Sequence, residues 1–332
     1  MTMVKVIGVL AFSLASVLAI LSAASARRAE QEAPPIGAFV NVDGARVHFV
    51  EAGVEHKGDG PSIILIHGAS ANLRDMKLAL GDRLAERHHV VIVDRPGHGY
   101  TTRPQSGYEL ARQARVIRDA ASAIGAEDPI VVGQSLGGAV SLAYALQFQQ
   151  EMSGLVLLAA VSHEWPGGIA LRNSASETPI LGFLLRRLFV PVYGRIVGPG
   201  AVAAAFAPDA APDRYYERVG VPLLFRPAQF RANAEDIFHL KREIIGMQNR
   251  YDELDLPVTI VTGTEDRDVS PEIHSKTLAK EVDGAGLHLL ADTGHSLHHA
   301  ESEKIIALIE AMREDAMRFS AKIDASAPQA AK

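Results

Sequence analysis

The sequence predicts an α/β fold: a mostly parallel, doubly wound sheet with a helical cap inserted after its sixth strand. Three observations predict it. From about residue 36 to residue 161, short runs rich in Val, Ile and Leu alternate with longer segments of helical spacing, the rhythm of consecutive βαβ units. Between His163 and Glu253 the rhythm stops, leaving helix-like segments and prolines without a convincing strand. It then resumes with "PVTIVTG" (Pro257 to Gly263) and closes in a long terminal helix. With 48% hydrophobic and 22% charged residues over 332 positions, the chain can bury a sizeable core.

Taken in order, the first element is apolar and stands alone. After Lys5, the 21 residues from Val6 to Ala26 carry no charge. As a helix rising ~1.5 Å per residue they would span about 30 Å, one hydrocarbon core. Ala24-Ser25-Ala26 also offers a signal-peptidase pattern, although Arg27-Arg28 directly follows it. Residues 1–35 are therefore read as a hydrophobic segment plus the polar linker "RRAEQEAPP". The segment is either a single-helix membrane anchor or an export signal removed by cleavage.

"AFVNV" and "RVHFVEAG" flank Asp43-Gly44, the signature of a hairpin with a primed turn. "SIILIHG" (Ser62 to Gly68) is continuously apolar, which suits a strand buried on both faces. A helical stretch follows from Leu73 to Arg87, then the strand and exit loop "HVVIVDRPGHG". "YELARQARVIRDAASAIGA" keeps helical spacing up to Gly125. "PIVVG" is a strand, "LGGAVSLAYALQFQ" a helix and "GLVLLAAV" a strand. Residues 163–250 form the helical cap, whose apolar stretch "ILGFLLRRLFVPVY" (Ile180 to Tyr193) suits the lining of a lipophilic pocket or burial against the core. The core, 36–162 and 251–318, is completed by "PVTIVTG", the helix "PEIHSKTLAKEV", the strand "LHLLA" and a helix from about His299. Residues 319–332 read as a frayed tail.

In a parallel sheet the loops after the strands' carboxyl ends share one edge, where ligands bind. Five such exits carry the polar signal: His67-Gly68-Ala69-Ser70, "DRPGHGYT" from Asp94, "GQSLGG" from Gly133, "TGTEDRDVSP" from Thr262 and "ADTGHS" from Ala291. A lone G-x-S-x-G string arises by chance in roughly one chain of this length in ten, so Gly133-Gln134-Ser135-Leu136-Gly137 proves little by itself. What makes it specific is the company of Asp266 and His295, arriving from later strand exits.

These motifs, in the order Ser135, Asp266, His295, resemble those of the α/β-hydrolase fold over residues 36–318. The resemblance implies a nucleophile elbow. Gly133 and Gly137 leave room for a sharp strand-to-helix turn that lifts the Ser135 hydroxyl above the sheet. His295 would be the base and Asp266 the residue that orients it. Glu265, Asp268 and, at the sixth-strand exit, Glu164 are weaker candidates for the acid. The resemblance also implies an oxyanion hole from the backbone N–H groups of Ala69 and Leu136. Haloalkane dehalogenases and epoxide hydrolases of this fold, which "DRPGHGYT" resembles, carry aspartate at the elbow; Ser135 departs from them and suits acyl transfer.

The expected activity is therefore hydrolysis of a small apolar ester-like substrate through an acyl-enzyme, with no metal and no organic cofactor. Lactones, thioesters and carbon–carbon bonds of diketones are open to the same machinery. Two other readings compete: non-hydrolytic use of the triad (perhydrolase, cofactor-free haloperoxidase or lyase) and a non-catalytic ligand-binding member. His295, His298 and His299 could form a metal face at a helix start, but no fourth ligand suggests itself. His67, His88, His89 and His98 read as structural or exposed, and Arg95 as loop scaffolding. Net charge is −6 with no dense Lys/Arg cluster, which sets aside a nucleic-acid partner. The absence of cysteine excludes disulfides and a thiol nucleophile.

Overall fold

The computed structural model describes residues 2–167 and 190–326. Eight strands form one sheet: β1 (Ala38–Val42), β2 (Ala45–Ala52), β3 (Ile63–Ile66), β4 (Val90–Val93), β5 (Ile130–Gln134), β6 (Gly154–Leu158), β7 (Val258–Gly263) and β8 (Gly286–Leu290). Their spatial order is β1-β2-β4-β3-β5-β6-β7-β8. β2 runs antiparallel to both β1 and β4, and every other pairing is parallel. The expected α/β architecture is the observed one.

The β1–β2 hairpin turns on Asp43 (φ 43°) and Gly44 (φ 74°), both left-handed as a primed turn requires. The central strands are apolar up to their carboxyl ends because both faces are covered. Ile64, Ile66, Val91, Val93 and Val131 pack against helices Leu110–Ile124 and Leu136–Phe148. Their alternates Ile63, Leu65, Val90, Ile92, Ile130 and Val132 meet Leu73, Met76, Leu80, Ile305 and Ile309 on the other face. Each such fully buried side chain contributes about 1.5–3 kcal/mol.

Two helices depart from their expected form. The segment from Leu73 contains a π-helical turn at Lys77–Gly81, where a side chain on Gly81 would stand 2.5 Å from Ile92 Cδ1. The terminal helix is Ser302–Ser326, preceded by the separate turn Leu297–Ala300, so it extends past the position expected to fray. Residues 327–332 and the cap stretch 180–189 lie outside the described residues.

The described part of the cap holds helices Val190–Phe206, Tyr215–Arg218 and Pro227–Met247 and no strand. Its outer side receives the N-terminal helix Thr2–Glu32. Arg195 Nε donates to Ser25 Oγ at 3.0 Å and Arg226 Nη1 to Glu30 Oε1 at 3.1 Å, while Ala29 and Ala33 pack on Leu223. The earlier turns present Val9, Leu10, Leu14 and Ile20, each more than 60% exposed. Among the described residues no helix is long and apolar enough to cross a membrane; the side chains at 2–4, 7, 8, 11 and 12 lie outside that set.

Candidate active site

Ser135 sits between β5 and helix Leu136–Phe148 with φ 54° and ψ −119°, a conformation costing a non-glycine residue of order 1–3 kcal/mol. The flanking glycines show why the turn demands small residues. A Cβ on Gly133 would lie 2.2 Å from Ser141 Oγ, and one on Gly137 would lie 2.5 Å from the carbonyl oxygens of Ile66 and His67. The backbone thus passes tightly under β3 and presents the serine at the sheet's carboxyl edge.

The structure brings the three sequence-predicted side chains into one row. Ser135 Oγ lies 3.0 Å from His295 Nε2, and His295 Nδ1 lies 2.8 Å from Asp266 Oδ2. A carboxylate only accepts, so Nδ1 carries the ring proton and Nε2 is left as the acceptor facing the serine. The other carboxylate oxygen of Asp266 accepts from the backbone N–H groups of Asp268 and Val269, each at 2.9 Å. That loop, held after β7, fixes the acid's direction. Glu265 and Asp268 do not reach the imidazole, and Glu164 instead pairs with Lys241 at 3.3 Å.

Gln134, whose orientation the sequence leaves unread, turns inward. Its side-chain nitrogen lies 3.3 Å from His295 Nε2 and 3.4 Å from the His295 carbonyl. Its oxygen crowds Gly68, where a Cβ would come within 2.1 Å of it and 3.1 Å of Ser135 Cβ. The His67–Ser70 loop therefore crosses directly beside Ser135. The backbone N–H groups of Ala69 and Leu136 donate to no other group among the described residues.

Arg95, expected to be scaffolding, is fully buried and organises this loop. Nε donates to the His67 carbonyl at 2.9 Å and Nη2 to the Gly68 carbonyl at 3.0 Å. Asp236 of the cap neutralises it at 2.7 Å. Nothing in the local sequence pairs these two residues, because they stand on different elements. His67 and His98, which read from the sequence as structural or exposed, are wholly buried beside Arg95. Burial first, then the Arg95 charge, pushes both imidazoles well below their ordinary proton affinity.

His298 and His299 do not join His295 as a metal face. Both turn to Asp75, at 2.9 and 2.8 Å, and Tyr215 of the cap donates to the same carboxylate at 2.7 Å. Burial opposes ionisation of Asp75, yet the two imidazoles outweigh it and hold its carboxyl well below the usual range. This cluster ties the segment after His295 to helix Leu73–Met76 and to the cap. At the opposite edge of the sheet, Ser62, His89 and Glu51 form a second Ser–His–acid row, with contacts of 2.8 and 2.9 Å. Ser62 is 3% exposed and lies just before β3 without a positive φ, away from the strand exits. It has the residue types of the Ser135 row without its strained turn.

A cavity of about 430 Å³ opens inside the cap, lined by Val197, Val202, Leu224, Phe225, Phe230 and Ile237 among others. Ser70 and Ala205 also line it. Ser70 follows the loop beside Ser135, and the Ala205 carbonyl accepts from Ser296 Oγ at 3.0 Å, next to His295. The cavity thus reaches residues that adjoin Ser135 and His295, although neither of those two lines it. A larger groove of about 670 Å³ lies between the N-terminal helix and residues 97–103, but none of the three site residues lines it.

Comparison with known proteins places the chain in a family. An uncharacterised protein of Mycobacterium tuberculosis is 29% identical over 284 residues, covering 84% of this chain and 81% of the relative. The 2-hydroxymuconate semialdehyde hydrolase of Pseudomonas putida is 25% identical over 284 residues, covering 85% and 95%. Among solved structures, a membrane phospholipase A superposes with a TM-score of 0.62 at 21% identity, covering 95% of this chain and 97% of its own. The profile of the alpha/beta hydrolase family matches residues 63–308, from β3 to the terminal helix, and the chain belongs to that family.

Proposed function

We propose that this protein is a serine hydrolase that cleaves ester-type bonds of apolar acyl substrates through an acyl-enzyme. The observation that carries this reading is the unbroken row Ser135–His295–Asp266, with an apolar cap cavity that reaches the neighbouring Ser70 and Ala205. Ser135 Oγ attacks the carbonyl carbon while His295 Nε2 takes its proton, and Asp266 stabilises the imidazolium. The N–H groups of Ala69 and Leu136 receive the oxyanion. Collapse breaks the carbon–oxygen bond and His295 protonates the departing alcohol. Water then attacks the acyl-enzyme, giving its proton to His295, and Ser135 is restored as the acid leaves. The Pseudomonas putida relative, a hydrolase by name, supports the reaction class, and the cavity lining supports an apolar acyl group.

A fluorophosphonate should label the wild-type protein and fail to label Ser135→Ala. Undiminished labelling of the variant would remove Ser135 as nucleophile. A panel of p-nitrophenyl esters of increasing acyl length, run beside a peroxide-dependent assay, separates hydrolysis from perhydrolysis.

The same reading includes attachment to a membrane through residues 6–26. The uncharged apolar run and its outward-facing Val9, Leu10, Leu14 and Ile20 support it. Fractionated cells should hold the full chain in the membrane pool and a chain lacking residues 1–28 in the soluble pool. A full chain recovered in the soluble pool would reject the anchor.

A further inference from the structure

One face of the cap helix Pro227–Met247 reaches two of the five positions from His67 to Ala71 directly and two more through Arg95. Gln229, Asn233 and Asp236 stand at i, i+4 and i+7, one side of a helix. Gln229 Nε2 donates to the Ala71 carbonyl at 3.4 Å. Asn233 Oδ1 accepts from the Ser70 N–H at 2.7 Å, and Asn233 Nδ2 donates to Ser70 Oγ at 3.0 Å. Asp236 holds Arg95, which in turn holds the His67 and Gly68 carbonyls. The position bracketed by these ties is Ala69.

Ser70 is the strained member. Its φ is 50°, left-handed for a residue that is neither Gly nor Asn, at a cost of order 1–3 kcal/mol. A conformation of that cost persists only where neighbours over-determine it. Here the neighbour is the two-point amide of Asn233, contributed by the cap and not by the core. Rotation at Ser70 would swing the peptide that joins it to Ala69 and shift the Ala69 backbone with it.

We infer that Asn233 is a positioning residue: through Ser70 the cap aims the Ala69 N–H at the oxyanion. The inference rests on the acyl-transfer reading above. It makes the cap part of the hole's construction as well as a cover over the cavity. Asn233 lines the cavity itself, so an acyl chain lying there packs on the residue that sets the hole.

The experiment uses the full chain in detergent with a p-nitrophenyl ester and a trifluoromethyl ketone, which binds as a tetrahedral oxyanion. Asn233→Ala is expected to lower kcat by ~10- to 100-fold, somewhat less than outright loss of an oxyanion donor. KM should change by less than about threefold, and trifluoromethyl ketone affinity should fall in step with kcat. A Ser70→Gly substitution added to Asn233→Ala should recover at least about fivefold of the loss, because glycine adopts a positive φ without penalty. Asn233→Asp, which keeps the acceptor for the Ser70 N–H, should lie between the wild type and Asn233→Ala.

A kcat within twofold of wild type in Asn233→Ala would overturn the inference. So would a loss that appears in KM alone, or one that Ser70→Gly does not recover. Circular dichroism and thermal midpoint establish that each variant is folded. Fluorophosphonate labelling of the wild type and of Ser135→Ala reports separately on the acyl-transfer reading. That reading can therefore fail or stand independently of Asn233.

Discussion

Replacing His295 with alanine is expected to lower kcat by on the order of 10⁵- to 10⁶-fold, and Asp266→Asn by roughly 10⁴-fold. The two losses have different origins. Without His295 no base among the described residues lies within hydrogen-bond reach of Ser135 Oγ to take its proton, since Gln134 offers an amide with no usable basicity. Asp266→Asn leaves the base in place but inverts its proton. Asp266 Oδ1 is tied to the N–H groups of Asp268 and Val269, so an asparagine keeps its oxygen there and turns its NH₂ toward His295. Nδ1 must then accept, which moves the ring proton to Nε2, facing the serine. Because the three groups act as one unit, the double variant should be no slower than His295→Ala alone. Steady-state rates and burst amplitudes with a p-nitrophenyl ester give both comparisons. Either single variant working within tenfold of wild type would dismantle the triad.

Acid should unfold this protein early. His67, His98 and His274 each use a ring nitrogen as an acceptor inside the fold. His67 Nε2 takes the Arg95 N–H at 3.0 Å, and His98 Nε2 faces Arg95 Nη2 at 3.4 Å. His274 Nδ1 takes the Ser162 and His163 N–H groups at 3.2 and 3.1 Å. Burial drives all three down, His274 to about 4. In the unfolded chain an imidazole binds its proton near pH 6.5. Below that value, and down to each depressed folded value, the unfolded state holds more protons than the folded one. Stability therefore falls as pH falls through the window.

Each histidine contributes at most about 1.4 kcal/mol per pH unit, and a domain has only about 5–15 kcal/mol in all. Urea midpoints at pH 7.5, 6.0 and 5.0 should decline steadily. His274→Gln, which keeps an acceptor that does not titrate, should flatten the slope. A midpoint that holds or rises on acidification would contradict this account.

The two predictions divide along the line between local and long-range information. Ser135, Asp266 and His295 were legible because each follows a strand that announces itself by its apolar run. Parallel strands then deliver their exits to one edge whatever the details of packing. The hairpin at Asp43-Gly44 and the helix end at Gly125 (φ 77°) were legible for a simpler reason: a backbone angle there admits few residue types. By sequence Arg95 reads as scaffolding and nothing signals its burial, because its partners come from three separate elements: the loop His67-Gly68, Gln113 on helix Leu110–Ile124 and Asp236 on the cap helix. By sequence His298 and His299 fit a metal face with His295. In the fold they answer to Asp75, more than two hundred residues earlier in the chain.

Sequence alone determined the order of strands and helices, the sharp turn at Ser135 and that Asp266 and His295 reach the same sheet edge. Each depends on periodicity, on a turn's steric demand or on which strand a residue follows. Only the tertiary structure decided where Gln134 points, which carboxylate His298 and His299 share, and that the cap helix grips the loop beside Ser135. Those contacts are distances between elements remote in the chain. Side-chain pattern along one strand or helix carries no record of them, and packing sets them only when the sheet and cap close on each other.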